Sequence, residues 1–134
     1  MRVGFGNSYD HDVNSTSLQF VRLPGLRMGY VEAGPPDGVP VLLPHGFPEF
    51  HYSWRHQLPA LAAAGYRAIA PDQRGYNLTD KTPPYGIDTL TQDIANLQDA
   101  LGIARSHVVG HDWGGAVLWA FAARYPDAWT SWWA

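Results

Sequence analysis

The chain has 134 residues, a formal net charge of −3, six tryptophans and no cysteine, and a chain of this length builds one domain with a real core, burying about two thirds of its extended surface. Scattered lysines and arginines leave no basic stripe for phosphates, so no nucleic-acid partner is expected; the lack of cysteine excludes disulfides and thiolate zinc sites and fits a cytoplasmic location. The longest apolar run, Trp113 to Ala123, is well short of the roughly 20 residues of a membrane span, and no signal-peptide core is visible at the start, so no membrane partner is expected.

Residues 1–17 are polar and rich in Gly, Asn and Ser, which predicts a poorly ordered arm. "LQFVRL" and "LRMGYVEAG" have strand-like composition and are split by the turn dipeptide Pro24-Gly25, predicting an antiparallel hairpin. After the turn "PPDG", the apolar run "VPVLLPHG" predicts a strand covered on both faces, ending in "HGFPEF". From Ser53 to Ala64, Trp54, Leu58, Leu61 and Ala62 recur at helical spacing, and Gly65 suits a left-handed cap.

"YRAIAP" predicts another buried strand, and "DQRGYNLTDKTPPYG" a long polar connection. Asp88 is expected to cap a helix carrying Leu90, Ile94, Leu97 and Leu101, ended by Gly102. A strand over 106–110 and a helix over 114–125 follow, the helix burying Val117, Leu118, Trp119 and Phe121. A hairpin followed by strands alternating with helices predicts an α/β fold with parallel strands and right-handed crossovers.

The corner "GHDWG" has the pattern G-x-D-x-G, with Gly110 and Gly114 around His111, Asp112 and Trp113. Glycines there permit a sharp strand-to-helix turn that exposes its central residue. Serine usually stands at that position, and it needs a base before it attacks; a carboxylate with an ordinary pKa of about 3.9 is already anionic. Its natural target is a saturated carbon bearing a leaving group, such as an epoxide or a carbon–halogen bond.

The product is an enzyme ester, which water driven by a histidine hydrolyses. The oxyanion then forms on the aspartyl group, where backbone N–H groups of Trp113 and of a loop after an earlier strand stabilise it. His45, Gly46, Phe47 and Pro48 form that loop, and Phe47 supplies the second N–H. A plainer use of Asp112 is as a helix N-cap beside an ordinary tight turn.

His51 and His56 are five apart, and His107 and His111 span a strand end, so neither pair has the i, i+4 helical geometry of a metal grip. No metal and no cofactor are expected. His45 is expected to support the oxyanion loop rather than to move protons.

From about Val39 to Asp127 the sequence resembles the α/β-hydrolase superfamily, and within it the epoxide hydrolases, through "HGFPEFHYSWRHQLPALAAAGYRAIAPDQRGYNLTD", "ALGI" and "HVVGHDWGGAVLWAFAARYPD". The resemblance implies Asp112 as nucleophile, Phe47 and Trp113 as oxyanion donors, an epoxide and water as substrates, and a cis Phe47-Pro48 bond. Haloalkane dehalogenases share the Asp-Trp pair and are the alternative, although their loop usually resembles "HGNP" or "HGEP". Fluoroacetate dehalogenases generally carry Arg where Trp113 stands. In "DQRGYNLTD", Asn77 replaces a usual glycine and tolerates positive φ, Thr79 replaces a serine, and Asp72 and Arg74 are expected to fix the loop.

The residues after Asp112 include Asp127 but no histidine. The family's catalytic histidine, acid and lid tyrosines all lie downstream of the nucleophile, and neither Tyr85 nor Tyr125 matches a lid position. The sequence therefore predicts the amino-terminal part of such an enzyme, inactive by itself. The ending "DAWTSWWA" departs from the apolar strand that the resemblance implies, and another reading frame permits "RVDKLVG". Residues 128–134 are thus expected to be an aberrant, frameshifted tail after a partial domain over 18–127. Loss of later strands would leave the strand before Asp112 as an unpaired edge open to self-association, which gives the non-enzyme alternative of an interaction module.

Overall fold

The computed structural model describes residues 16–134; most of the amino-terminal arm lies outside the described residues. Thr16 and Ser17, expected in that arm, instead open the first strand. β1 (Thr16–Leu23) and β2 (Leu26–Ala33) form the predicted hairpin, and β3 (Val39–Leu42), β4 (Tyr66–Pro71) and β5 (Ser106–Val109) follow. The helices are α1 (Gln57–Ala63), α2 (Ile87–Ala100) and α3 (Trp113–Arg124), and a last strand, β6, spans Trp129–Trp133.

The sheet order is β1-β2-β4-β3-β5-β6. β2 pairs antiparallel with β1 and β4, while β4, β3, β5 and β6 run parallel. Because side chains alternate along a strand, Leu42, Ile69 and Val108 enter one core and Val41, Ala68 and Ala70 another. The first core takes Leu90, Ile94 and Leu97 from α2 and Val117, Leu118 and Phe121 from α3; the second takes Leu58 and Ala62 from α1. The helices therefore cover opposite faces of the sheet.

The chain steps from β3 outward to β4, then returns across β3 to β5. That reversal opens a crevice at the carboxyl ends of β3 and β5, the place where open α/β sheets bind ligands. Both motifs singled out in the sequence, "HGFP" and "GHDWG", lie there.

Four further local expectations change. The helix expected from Ser53 divides into a 3-10 turn over His51–Trp54 and α1, whose first residue is Gln57. Asp88 lies in the first turn of α2 rather than capping it; Gly86 holds the cap position, and the carboxylate still favours the positive helix end. Trp119 is 63% exposed, because two residues beyond Val117 is about 200° around a helix.

The fourth change concerns the end of the chain. The tail expected to be aberrant forms β6 and pairs in parallel with β5, so β5 is an inner strand and the sheet edge belongs to β6. Tryptophan and threonine favour extended backbone, and several contacts hold the segment. Gln98 links Ser106 Oγ to the Ala128 carbonyl, the Trp129 indole donates to the Ala122 carbonyl at 3.0 Å, and Trp132 meets Trp119 edge-on at 4.6 Å.

The Gly110 amide donates to the Trp133 carbonyl at 2.8 Å. Hydrogen exchange checks this pairing: the Gly110 amide is expected to be strongly protected, whereas an open β5 edge would let it exchange at the rate of an unstructured peptide.

Candidate active site

Asp112 sits at the corner where β5 turns into α3, with φ 58° and ψ −120°. For a residue with a Cβ this is an uncommon, strained conformation. The corner is tight enough to exclude side chains at its flanks. A Cβ on Gly110 would lie 2.6 Å from the Gly114 carbonyl oxygen, and one on Gly114 would overlap the Pro44 carbonyl oxygen. The elbow is thereby pressed onto the end of β3, and Gly46 itself packs against Asp112, a Cβ there falling 2.6 Å from the aspartate Cβ.

An ordinary N-cap has extended backbone and accepts from the second or third helical N–H. Asp112 does neither. Its Oδ2 accepts from the Trp113 amide at 2.7 Å and from the Phe47 amide, 65 residues away in sequence, at 3.0 Å. Oδ1 has no hydrogen-bond partner among the described residues. The Phe47 and Trp113 amides hold the carboxyl below its ordinary value against partial desolvation, and neighbouring His111 adds to the shift. Asp112 is a carboxylate with one oxygen engaged and one free.

The "HGFP" loop reaches it through buried polar scaffolding. Fully buried His45 accepts at Nε2 from the Gln73 amide at 3.0 Å, which puts its proton on Nδ1, 2.8 Å from the Gly46 carbonyl. Gln73 Nε2 donates to the His45 carbonyl at 2.7 Å. Burial pushes the His45 pKa down, so the ring stays neutral and ties the Gly46 carbonyl to the Gln73 amide. Phe47 and Pro48 are joined by a cis bond, and both are exposed.

The following loop is fixed as the sequence suggested. Buried Asp72 accepts from the His51 amide at 2.8 Å, His51 Nδ1 at 2.9 Å and Asn77 Nδ2 at 2.9 Å. Asn77 takes φ 44°, and Thr79 Oγ1 donates to the Asp72 carbonyl at 2.5 Å while accepting from the Gly29 amide at 3.0 Å. Arg74 forms a buried two-point pair with Asp93, at 2.9 Å for both contacts.

Asp112 opens onto a cleft of about 610 Å³ lined by Phe47, Tyr76, Tyr85, Asp112, Trp113 and Ala116. Tyr76 and Tyr85 were not foreseen there; the only sequence signal was their membership of the long loop after β4. Burial, and then the charge of Asp112, push the Tyr76 hydroxyl pKa up. Tyr125 is elsewhere, donating to Gln92 Oε1 at 2.7 Å. Glu49 was also missed: its Oε1 accepts from the Gly46 amide at 3.1 Å and lies 3.6 Å from His111 Nδ1.

Among the described residues no three metal-ligating side chains gather in a group, and no helix is long and apolar enough to cross a membrane. What the site offers is an anionic oxygen beside paired backbone donors, at the switch point of an α/β sheet.

This chain belongs to the α/β-hydrolase family: residues 39–130 match the family model described as alpha/beta hydrolase fold. It is similar to Epoxide hydrolase A of Mycobacterium tuberculosis, 52% identical over 106 residues that make up 77% of this chain and 33% of that protein. AB hydrolase superfamily protein YfhM of Bacillus subtilis is 47% identical over 118 residues, 86% of this chain and 41% of that protein. Potato epoxide hydrolase I superposes with a TM-score of 0.84 at 38% identity, over 88% of this chain and 39% of that structure. The chain thus spans well under half the length of these relatives.

The His45 arrangement predicts a pH dependence. Below the ordinary histidine value of about 6.5 the unfolded chain binds a proton that the folded ring resists, so this contribution is complete above that pH and lost as pH falls. Denaturant titrations from pH 7.5 to 5 are expected to show a smaller loss in His45→Gln than in the parent chain. Equal losses would contradict a buried neutral His45.

Proposed function

We propose that this chain carries the nucleophilic part of an epoxide hydrolase-type site, and that it opens epoxides by forming an ester on Asp112. One observation carries the reading: Asp112 Oδ2 accepts both the Phe47 and Trp113 amides while Oδ1 has no protein partner among the described residues. The free oxygen is the attacking atom. As it bonds to an epoxide carbon the carbon–oxygen bond breaks, the electron pair leaves with the ring oxygen, and that alkoxide takes a proton from solvent.

Ester hydrolysis places negative charge on the carbonyl oxygen of the aspartyl group. Oδ2 already occupies that position, so the two amides need little rearrangement to stabilise the oxyanion. The similarity to Epoxide hydrolase A and to the potato epoxide hydrolase favours an epoxide over an alkyl halide. Of the described histidines around the site, His45 and His51 are committed to Gly46, Gln73 and Asp72, His107 contacts Ser131 Oγ, and His111 faces Glu49 at 3.6 Å rather than the Asp112 carboxylate. The reaction in this chain therefore halts at the ester.

Incubation with 1,2-epoxybutane tests this. Mass spectrometry is expected to show a single adduct with the mass of the intact epoxide, located on the peptide containing Asp112, persistent over hours and absent from Asp112→Asn. An unmodified chain, or equal labelling of the Asn variant, would refute the nucleophile; diol formed over many turnovers would refute the halt.

A further inference from the structure

Next to the cleft over Asp112 lies a second cavity of about 280 Å³, lined by Arg74, Gly75, Tyr76, Tyr85, Leu90 and Trp113. Tyr76, Tyr85 and Trp113 line both spaces, which therefore adjoin along these three aromatic residues. Because the cleft that holds Asp112 shares these three residues with the side chamber, a molecule whose reacting atom is at that carboxylate has the chamber beside it.

The chemistry of the chamber narrows its occupant. Arg74 brings a positive charge, but its Nε and Nη2 are paired with Asp93 and its Nη1 donates to the Thr82 carbonyl at 2.9 Å. A guanidinium so engaged has little left for an anion, and its flat face still accepts an aromatic ring. Leu90 is buried and adds alkyl surface. At Gly75, with φ +90°, a Cβ would fall 2.8 Å from Tyr85 Cε1, so the Tyr85 ring lies directly against backbone. Three aromatic residues, an alkyl group and a neutralised guanidinium together suit a planar apolar group.

We propose that Tyr85 is a specificity-determining residue, walling a side chamber that takes the aryl substituent of an epoxide whose reacting carbon lies at Asp112. The inference rests on the nucleophilic reading of Asp112 for its substrate, but the chamber can be tested without any chemistry. Tyr85 is 45% exposed on a loop, so replacing it leaves both cores untouched.

The test is a titration of the whole ¹⁵N-labelled chain with 1-phenylethane-1,2-diol and, separately, propane-1,2-diol. The phenyl diol is expected to shift the Gly75 and Tyr85 amides. Tyr85→Ala and Tyr85→Leu should each weaken its binding by about tenfold, the upper range for loss of one aromatic pair. Tyr85→Phe should bind as the parent does, and the ring-free variants should weaken propane-1,2-diol, which carries no aryl group, far less than the phenyl diol.

Failure of the phenyl diol to bind, unmoved Gly75 and Tyr85 amides, or full-strength binding by both ring-free variants would overturn the proposal. Asp112 alkylation does not enter this readout. A chain that seats the phenyl diol but never gains an epoxide adduct would retain the chamber and lose the nucleophile, and an adduct without chamber binding would do the reverse.

Discussion

One carboxylate oxygen held between two peptide N–H groups, one of them 65 residues from the carboxylate in sequence, is the contact on which this architecture turns. It forms only if β3 and β5 are neighbours, since Phe47 follows one and Trp113 the other. It also requires that the elbow lie flat on the end of β3, which the missing side chains at Gly110 and Gly114 allow. The left-handed backbone of Asp112 is unfavourable in isolation; its charge-assisted bonds to the two amides are what offset it. Sheet topology, glycine placement and carboxylate chemistry thus meet in a single residue.

A layer of buried polar groups holds the two loops in place. His45, Gln73 and Asp72 bind mainly to backbone, where satisfied donors and acceptors fix geometry more than they add net stability. Arg74 and Asp93 follow the same logic. Losing one partner of such a pair costs about 3–5 kcal/mol, whereas exchanging both for apolar groups is often neutral. Their value lies in placing the loop after β4, which carries Tyr76 and Tyr85 to the cleft.

Much of this was legible in the sequence, for particular reasons. β3, β4 and β5 are short apolar runs bounded by turn residues, as covered strands are, and Gly65 marks its turn by needing a left-handed conformation, observed at φ +94°. The elbow and its partner loop declared themselves through glycines and a carboxylate at fixed spacing, which the tight corner requires. Tyr76 and Tyr85 did not, because their approach to Asp112 depends on how a long loop folds back and not on any local pattern. Trp119 was placed in the core on hydrophobicity alone, although its helical angle points it away. β6 was missed for a different reason: three tryptophans departed from the expected family pattern, yet their extended backbone fits the slot beside β5, with register shifting at Ser106 and His107. Backbone pairing is tolerant of side-chain identity in a way that motif comparison is not.

The account stands on Asp112 being ionised and held by amides on one oxygen. A ¹³C-carboxyl NMR titration of that residue measures this directly. A midpoint clearly below the ordinary aspartate value of about 3.9, together with slow exchange of the Phe47 amide proton, is the predicted result. A midpoint at or above that value would mean that the two donors do not grip the carboxylate, and the nucleophilic site would have to be abandoned.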